Sequence, residues 1–495
     1  MTSIVHIAVA LTHGGPVAVP DISVYLSFAQ WPHGGELVSD PAFFPGYGLL
    51  LTPFGWMSGS ALHTAALLLN SVAAGACVVL AARFARSLGA SPHIVTAVAV
   101  MAAVHPSLST SSRIGWPETV LAVVVLAVCL TVDRGQWMSA GVTAGLALAL
   151  HPRLVVVVAG AIVVAAIKNR LTSLMTGLVP ALGVTGLILW WTDSWPSARL
   201  SAVQNVGDGP NPLLTATGQW LALAAGTAGL ASVGLLMAIR KFRNSASSAS
   251  ETFLMVSALG MLALGGWVLA GGDRIDTLLY GRYVGPWAVP LAILGLVAVA
   301  RGDFTQKLKW VVVGSTLIPL ILGLASSGTV ETPLRRIMTL DLGSIWTVLD
   351  QRLTLTLVAA ASLCVVAYVT MTRGPWIAVA MLIVLASTST ITNHAHLNEV
   401  GKIADGQVTV ASQIPEASGC LSHDTSTKSY AMWLYRLELP ELEHQRVRLD
   451  AGEQPCGRYV IADSDALTEC QGAQLLAAEP RARWGLWLYP TNGCS

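Results

Sequence analysis

Between residues 60 and 391 the chain is a succession of apolar runs, each close to bilayer length and separated by short polar connections. They fall near 60–82, 93–110, 117–132, 137–150, 153–167, 172–191, 216–238, 252–271, 279–300, 309–326, 353–371 and 375–391. A helix needs about 20 mostly apolar residues to cross hydrocarbon. Lipid offers the backbone no hydrogen-bond partner, so runs of this length there form helices that close their own ladders. Charged residues are only 11% of the chain, against about 25% in soluble domains. Most of the chain therefore has no water to face. Many of its sixteen Trp lie near the ends of the runs, where amphipathic rings favour the bilayer interface. A net charge of +1 leaves no basic footprint for nucleic acid.

Residues 3–19 form a weaker first span, short, with His6 and His13 inside it and no basic residue ahead. A secretory signal peptide needs a positive n-region and a small-residue cleavage site, and neither is clear. One explanation is a true start upstream of Met1, which a longer reading frame would support and an in-frame stop would overturn. With this segment the count is about thirteen spans, a mainly α polytopic bundle over residues 1–391.

Basic residues occupy every second connection: Arg83 and Arg86, Arg134, Lys168 and Arg170, Arg240 to Arg243, Arg301 to Lys309, and Arg373. The positive-inside rule places these in the cytoplasm, with the N-terminus. The loops 20–59, 111–116, 192–215, 272–278 and 327–352, and the tail after 392, then face outward, which puts the protein in the plasma membrane.

The tail, 392–495, reads as a separate extracytoplasmic α/β domain. Val408–Ser412, Arg458–Ala462 and Trp484–Tyr489 read as strands, and Tyr430–Leu437 as helix or strand. Four cysteines, Cys420, Cys456, Cys470 and Cys494, lie in it, which predicts disulfides and an oxidising compartment. Three pairings are open; Cys420–Cys456 with Cys470–Cys494 is the simplest. Cys77, Cys129 and Cys364 lie singly in apolar runs, as small core residues do. Trp433, Tyr435, Trp484, Trp487 and Tyr489 present either a sugar-stacking face or the core of a small domain, and core is the commoner use.

Candidate chemistry gathers at the outward ends of the runs. Asp21 follows the first span, as a helix cap or as a general base toward a hydroxyl. Arg113 and Glu118 flank the 111–116 loop, and His151-Pro152-Arg153 breaks a run where Pro forces a turn. Asp193, Arg199, Asp273 and Arg274 lie in further outer loops. Arg282-Tyr283 lies within an apolar run, where an ionised group is costly and either functional, paired or snorkelling. Guanidinium forks match phosphate oxygens. A carboxylate and several cations at headgroup level suit a lipid-linked phosphate donor, with its tail along an apolar groove. No cofactor is indicated, and a divalent metal stays open.

At these residues the chain resembles the GT-C superfamily of polyprenyl-phosphate-dependent membrane glycosyltransferases. The resemblance rests on Asp21 with Tyr25, the Phe44-Pro45-Gly46-Tyr47 stretch, Pro117-Glu118 opening a run, and the His151-Pro152-Arg153 break. It covers about the first 170 residues closely and the rest by span count, orientation and tail. The nearest analogues are actinobacterial cell-wall arabinofuranosyl- and mannosyltransferases. The resemblance implies a polyprenyl-phosphate sugar donor, a cell-envelope glycan or lipid acceptor, and inversion in one displacement. It implies Asp21 as base, Arg153 and Arg282 as phosphate ligands with His151 and Tyr283 behind them, and Tyr25, Tyr47 and Glu118 orienting the acceptor, Glu118 alternatively pairing with Arg113. Many relatives carry a second carboxylate after the first, where this chain has Asp21-Ile22, which weakens a metal role there. The rivals are a transporter, which predicts internal repeats and polar breaks at mid-membrane, a lipid-linked-glycan flippase or ligase, and a non-catalytic scaffold.

Overall fold

The apolar runs are helical but unequal in length. A computed structural model describes all residues except 39–42, 195–211, 271–277, 328–338, 416–417 and 491–495. Arg199, Asp273, Arg274 and Cys494 fall outside the described residues. Among those described, six helices are long and apolar enough to cross a bilayer: Gly59–Ser87, Leu171–Trp191, Ala249–Leu269, Gln306–Ser327, Leu353–Met371 and Pro375–Asp405. Two bent pairs raise the number to as many as eight. Pro92–Val104 turns by 46° into the segment ending at Ile114, and Pro212–Gly226 turns by 115° into Leu230–Arg243. The second bend lies at Ala228 and Gly229, both at positive φ.

The expected thirteen full-length spans are not reproduced. Glu118–Asp133, Trp137–Ala147, Val155–Ile167 and Gly285–Ala300 are helices of 16, 11, 13 and 16 residues. Turns at Gly135 and at His151-Pro152 separate the first three of these at the breaks read from sequence, and none of the three reaches bilayer length.

The first segment also departs from expectation. Its helix is Thr2–Ala10, nine residues long, and a second helix, Val19–Gln30, follows after a break. Gly14-Gly15-Pro16 and a left-handed Ala18 account for the break. Asp21 thus lies in the first turn of a helix, not in a loop.

One large apolar cluster runs through the bundle. A second, built on Tyr25, Tyr47, Trp116 and Leu437, lies where the bundle meets the tail. The helix Pro375–Asp405 crosses the boundary expected at 391–392 without a break, so the tail grows out of a bundle helix.

The tail is a five-stranded sheet of order β2-β1-β3-β5-β4, with β1 Cys420–Asp424, β2 Glu443–Val447, β3 Tyr459–Asp463, β4 Gln474–Ala478 and β5 Trp484–Leu488. β1 pairs parallel to β2 and β3, while β5 runs antiparallel to β3 and β4. The β1–β2 crossover is the helix Ser429–Glu438. Residues 409–413, read as strand from alternation, form a 3-10 turn instead, with Glu479 accepting from Thr409 N and Val410 N. Cys420 and Cys456 form a disulfide, Cα atoms 6.0 Å apart, and Cys470 is also disulfide-bonded. Tyr435, Trp484, Trp487 and Tyr489 are buried and Trp433 is partly buried, so these rings fill the domain.

The tail helix lies on the helix that carries Asp21. Ser23 Oγ donates to Trp433 O at 2.9 Å, Glu36 N donates to Pro440 O at 2.6 Å, and Arg436 makes a forked pair with Glu36. Gly59 presses against the Leu437 carbonyl so closely that any Cβ would collide with it.

Candidate active site

Four charged side chains from four segments meet at the end of the bundle nearest the tail. Arg282 lies between two carboxylates, with Nη1 donating to Asp21 Oδ2 at 2.7 Å and Nε to Glu118 Oε1 at 2.8 Å. Arg153 Nη2 donates to the same Glu118 oxygen at 2.7 Å. Side-chain exposure is 3% for Arg153, 6% for Glu118, 8% for Arg282 and 28% for Asp21, so Asp21 is the member an incoming molecule meets first. Two cations and two anions balance, which is how ionised groups persist at low dielectric.

Local structure explains each placement. Asp21 makes no side-chain cap at its helix N-terminus, and its Oδ2 is engaged by Arg282 instead. Glu118 opens a helix behind Pro117. Arg153 sits on a 3-10 turn capped by His151, whose Nδ1 accepts from Arg153 N at 3.2 Å. That turn is tied to the first loop: Gly46 N donates to Ala149 O at 2.8 Å, and a Cβ on Gly46 would strike the Ala149 carbonyl. Arg282 precedes the helix Gly285–Ala300 and stacks on Trp116, Cζ 3.5 Å from the ring centroid. Cation–π contact of this kind fixes a guanidinium plane. Tyr283 lies 5.2 Å from the Arg153 guanidinium.

Asp21, Glu118, Arg153 and Arg282 therefore come together, with His151 and Tyr283 beside Arg153. Tyr25 and Tyr47 do not present themselves to an acceptor. Both are fully buried, edge to face at 5.4 Å, beneath the Asp21 helix. Glu118 does not pair with Arg113, which hydrogen-bonds Asn398 Oδ1 at 2.6 Å. Asp193 is in the turn closing the helix Leu171–Trp191.

Two residues beside the network were not singled out from sequence. Trp116, directly before Pro117-Glu118, is the platform for Arg282, and its position next to a quoted motif was the available signal. Asp341 lines a small cavity with Ser107, Glu118 and Arg282. Burial raises its carboxyl to about 7. Nothing in the sequence around residue 341 marks it.

Among the described residues no group of three or more His, Cys, Asp or Glu side chains is placed to hold a metal ion. Both site carboxylates hydrogen-bond Arg282, whose cation stands where a bridging metal would lie. The donor set does not fit a divalent ion, and no step below passes through one.

The mostly helical membrane bundle with its small C-terminal sheet has a fold similar to that of solved membrane proteins. The crystal structure of ArnT from Cupriavidus metallidurans bound to undecaprenyl phosphate superposes with a TM-score of 0.59 at 14% identity, covering 98% of this chain and 96% of that one. The apo state of ArnT gives 0.57 at 16% identity, with the same coverage. At these identities the likeness is one of fold. No protein-family model matches the sequence, and no curated protein matches it.

Proposed function

We propose that the chain is a membrane glycosyltransferase that moves a sugar from a polyprenyl-phosphate donor to a cell-envelope acceptor at the outer face of the plasma membrane. The observation that carries this reading is Arg282 held between Asp21 and Glu118, with Arg153 on the same Glu118 oxygen, on a GT-C-type fold. The ArnT structure contains undecaprenyl phosphate, which supports a donor of that class here.

The chemistry follows from what each group has left to offer. Arg153 Nε–H is buried with no hydrogen-bond partner among the described residues, and a buried donor left unmatched is costly. A phosphate oxygen at this point satisfies it. Asp21 engages Arg282 through one oxygen, leaving the other for an acceptor hydroxyl. Asp21 takes the hydroxyl proton as the acceptor oxygen bonds to the anomeric carbon. The bond from that carbon to the phosphate oxygen breaks, and polyprenyl phosphate leaves with the electron pair. Attack opposite the leaving group inverts the anomeric centre. Arg153 and Arg282 stabilise the charge that grows on the phosphate, and Glu118 Oε1 accepts from both and holds them side by side. The actinobacterial arabinofuranosyl- and mannosyltransferases give the first substrates to try.

The test is transfer in membranes from cells expressing wild type or Asp21→Asn, supplied with a panel of radiolabelled polyprenyl-phosphate sugars. Wild type should transfer one of them, and the variant should lose about a hundredfold or more, as removal of a general base does. Transfer unchanged in the variant removes the mechanism. Movement of the intact lipid-linked sugar across the bilayer, with no transfer, favours a flippase.

A further inference from the structure

A second cation is buried away from this network. Arg113 is 4% exposed and hydrogen-bonds Val9 O, Thr12 O and Asn398 Oδ1, all uncharged acceptors. Among the described residues no carboxylate pairs with it. It hydrogen-bonds none of Asp21, Glu118, Arg153 and Arg282. An arginine taken out of water without a counter-anion is strongly disfavoured, so its charge calls for an anion from outside the chain.

Arg113 lines a groove of about 690 Å³ that runs between the helices Thr2–Ala10 and Pro375–Asp405. Its walls are mostly apolar. Val5 and Ile391 on its flanks are 55% and 68% exposed, so it opens sideways onto the surface that lipid covers. At the same site His394 Nε2 is buried with no hydrogen-bond partner among the described residues.

We propose that this groove binds one phosphodiester lipid of the surrounding bilayer, its phosphate on Arg113 and its chain along Val5, Val9 and Ile391. Charge selects among anionic lipids. Among the described residues Arg113 is the one buried cation lining the groove, the Met1 α-amino group at its rim being exposed to solvent, and a single buried charge balances the single negative charge of a phosphodiester such as phosphatidylglycerol. A monoester such as polyprenyl phosphate would bring up to two. His394 Nε2 and the Asn398 amide supply hydrogen bonds to a phosphate oxygen or a glycerol hydroxyl. The site does not depend on the glycosyltransferase reading.

The full-length protein, purified and placed in nanodiscs of phosphatidylglycerol, phosphatidylcholine or a mixture, tests this by native mass spectrometry. Wild type should retain one phosphatidylglycerol with about fivefold preference over phosphatidylcholine, the size expected of one arginine near an anionic headgroup. Arg113→Gln should erase the preference. Ala395→Trp fills the groove from a lipid-exposed position and should lose the retained lipid with its melting temperature unchanged; it decides the matter if Arg113→Gln does not fold. Equal retention of the two lipids, retention undiminished in Ala395→Trp, or displacement of phosphatidylglycerol by added undecaprenyl phosphate each overturns the proposal.

Discussion

Two guanidinium groups brought close together repel unless an anion lies between them, and Glu118 Oε1 takes that position, 2.7 Å from Arg153 and 2.8 Å from Arg282. Glu118→Gln removes the charge and leaves the arginines with Asp21 alone. Loss of one partner of a buried ionic cluster costs about 3–5 kcal/mol, so the melting temperature in detergent should fall clearly. Asp21→Asn, at a more exposed position, should melt near wild type while transfer fails. The two variants separate holding the site from using it, and a Glu118→Gln protein as stable as wild type would contradict the pairing. At this scale the sequence was informative about which residues matter and silent on their partners. Asp21, Glu118, Arg153 and Arg282 stand out because charge at the end of an apolar run is rare. That Glu118 serves both arginines while Arg113 turns to Asn398 depends on contacts between segments 35, 164 and 285 residues apart.

The tail depends on a few cross-links and one buried histidine pair. The Cys420–Cys456 disulfide closes a 36-residue separation, worth about 4 kcal/mol in the chain-entropy picture. Reduction, or Cys456→Ser paired with Cys420→Ser, should lower the unfolding transition of the tail, read by near-ultraviolet circular dichroism, and leave the helical signal of the bundle in place. With both rings neutral, His444 donates from Nε2 to Leu439 O at 2.9 Å and accepts at Nδ1 from His423 Nε2 at 3.0 Å, so the pair is satisfied without a charge on either ring. Burial lowers His444 to about 4 and holds His423 well below its ordinary value. An unfolded tail takes up these protons below its ordinary value near 6.5, whereas the folded one refuses them until about pH 4. Stability from this pair is therefore present above pH 6.5 and is lost as pH falls toward 4. Glu438 acts in the opposite sense, because burial raises it to about 7 and the folded tail keeps its proton where the unfolded one gives it up. In Glu438→Gln the melting temperature of the tail should fall steadily from pH 6.5 to 4; a flat profile would show that the histidines do not carry the dependence. β3 and β5 were legible because they are buried and apolar. β2, half exposed with the sequence Glu-His-Gln-Arg-Val, and β4, exposed at the sheet edge, carry no such signature. Residues 409–413 alternate like a strand, but Glu479 captures their N–H groups.

For the molecule as a whole, orientation is the least direct inference and the easiest to check. The positive-inside pattern and the tail disulfides both place the C-terminus outside, so an alkaline phosphatase fusion there should be active and a green fluorescent protein fusion dark. The reverse would move the arginine network to the cytoplasmic side and remove the outward acceptor. Hydropathy revealed that the chain lives in lipid and where its runs lie. It overcounted full crossings because the apolar runs 117–132, 137–150 and 153–167 each read as a span, though the helices they form stay short of the roughly 20 residues a crossing needs. The docking of the tail helix also has a bearing on how the protein is made. Asp21 is synthesised well before Trp433, Arg436 and Pro440, which hold its helix and the segment after it from above. A chain halted before residue 430 would already contain every arginine and carboxylate of the site, yet the helix bearing Asp21 would have nothing to press against. The arrangement of the site is thereby completed only once the tail has folded onto it, a delay built into the order in which the chain is made.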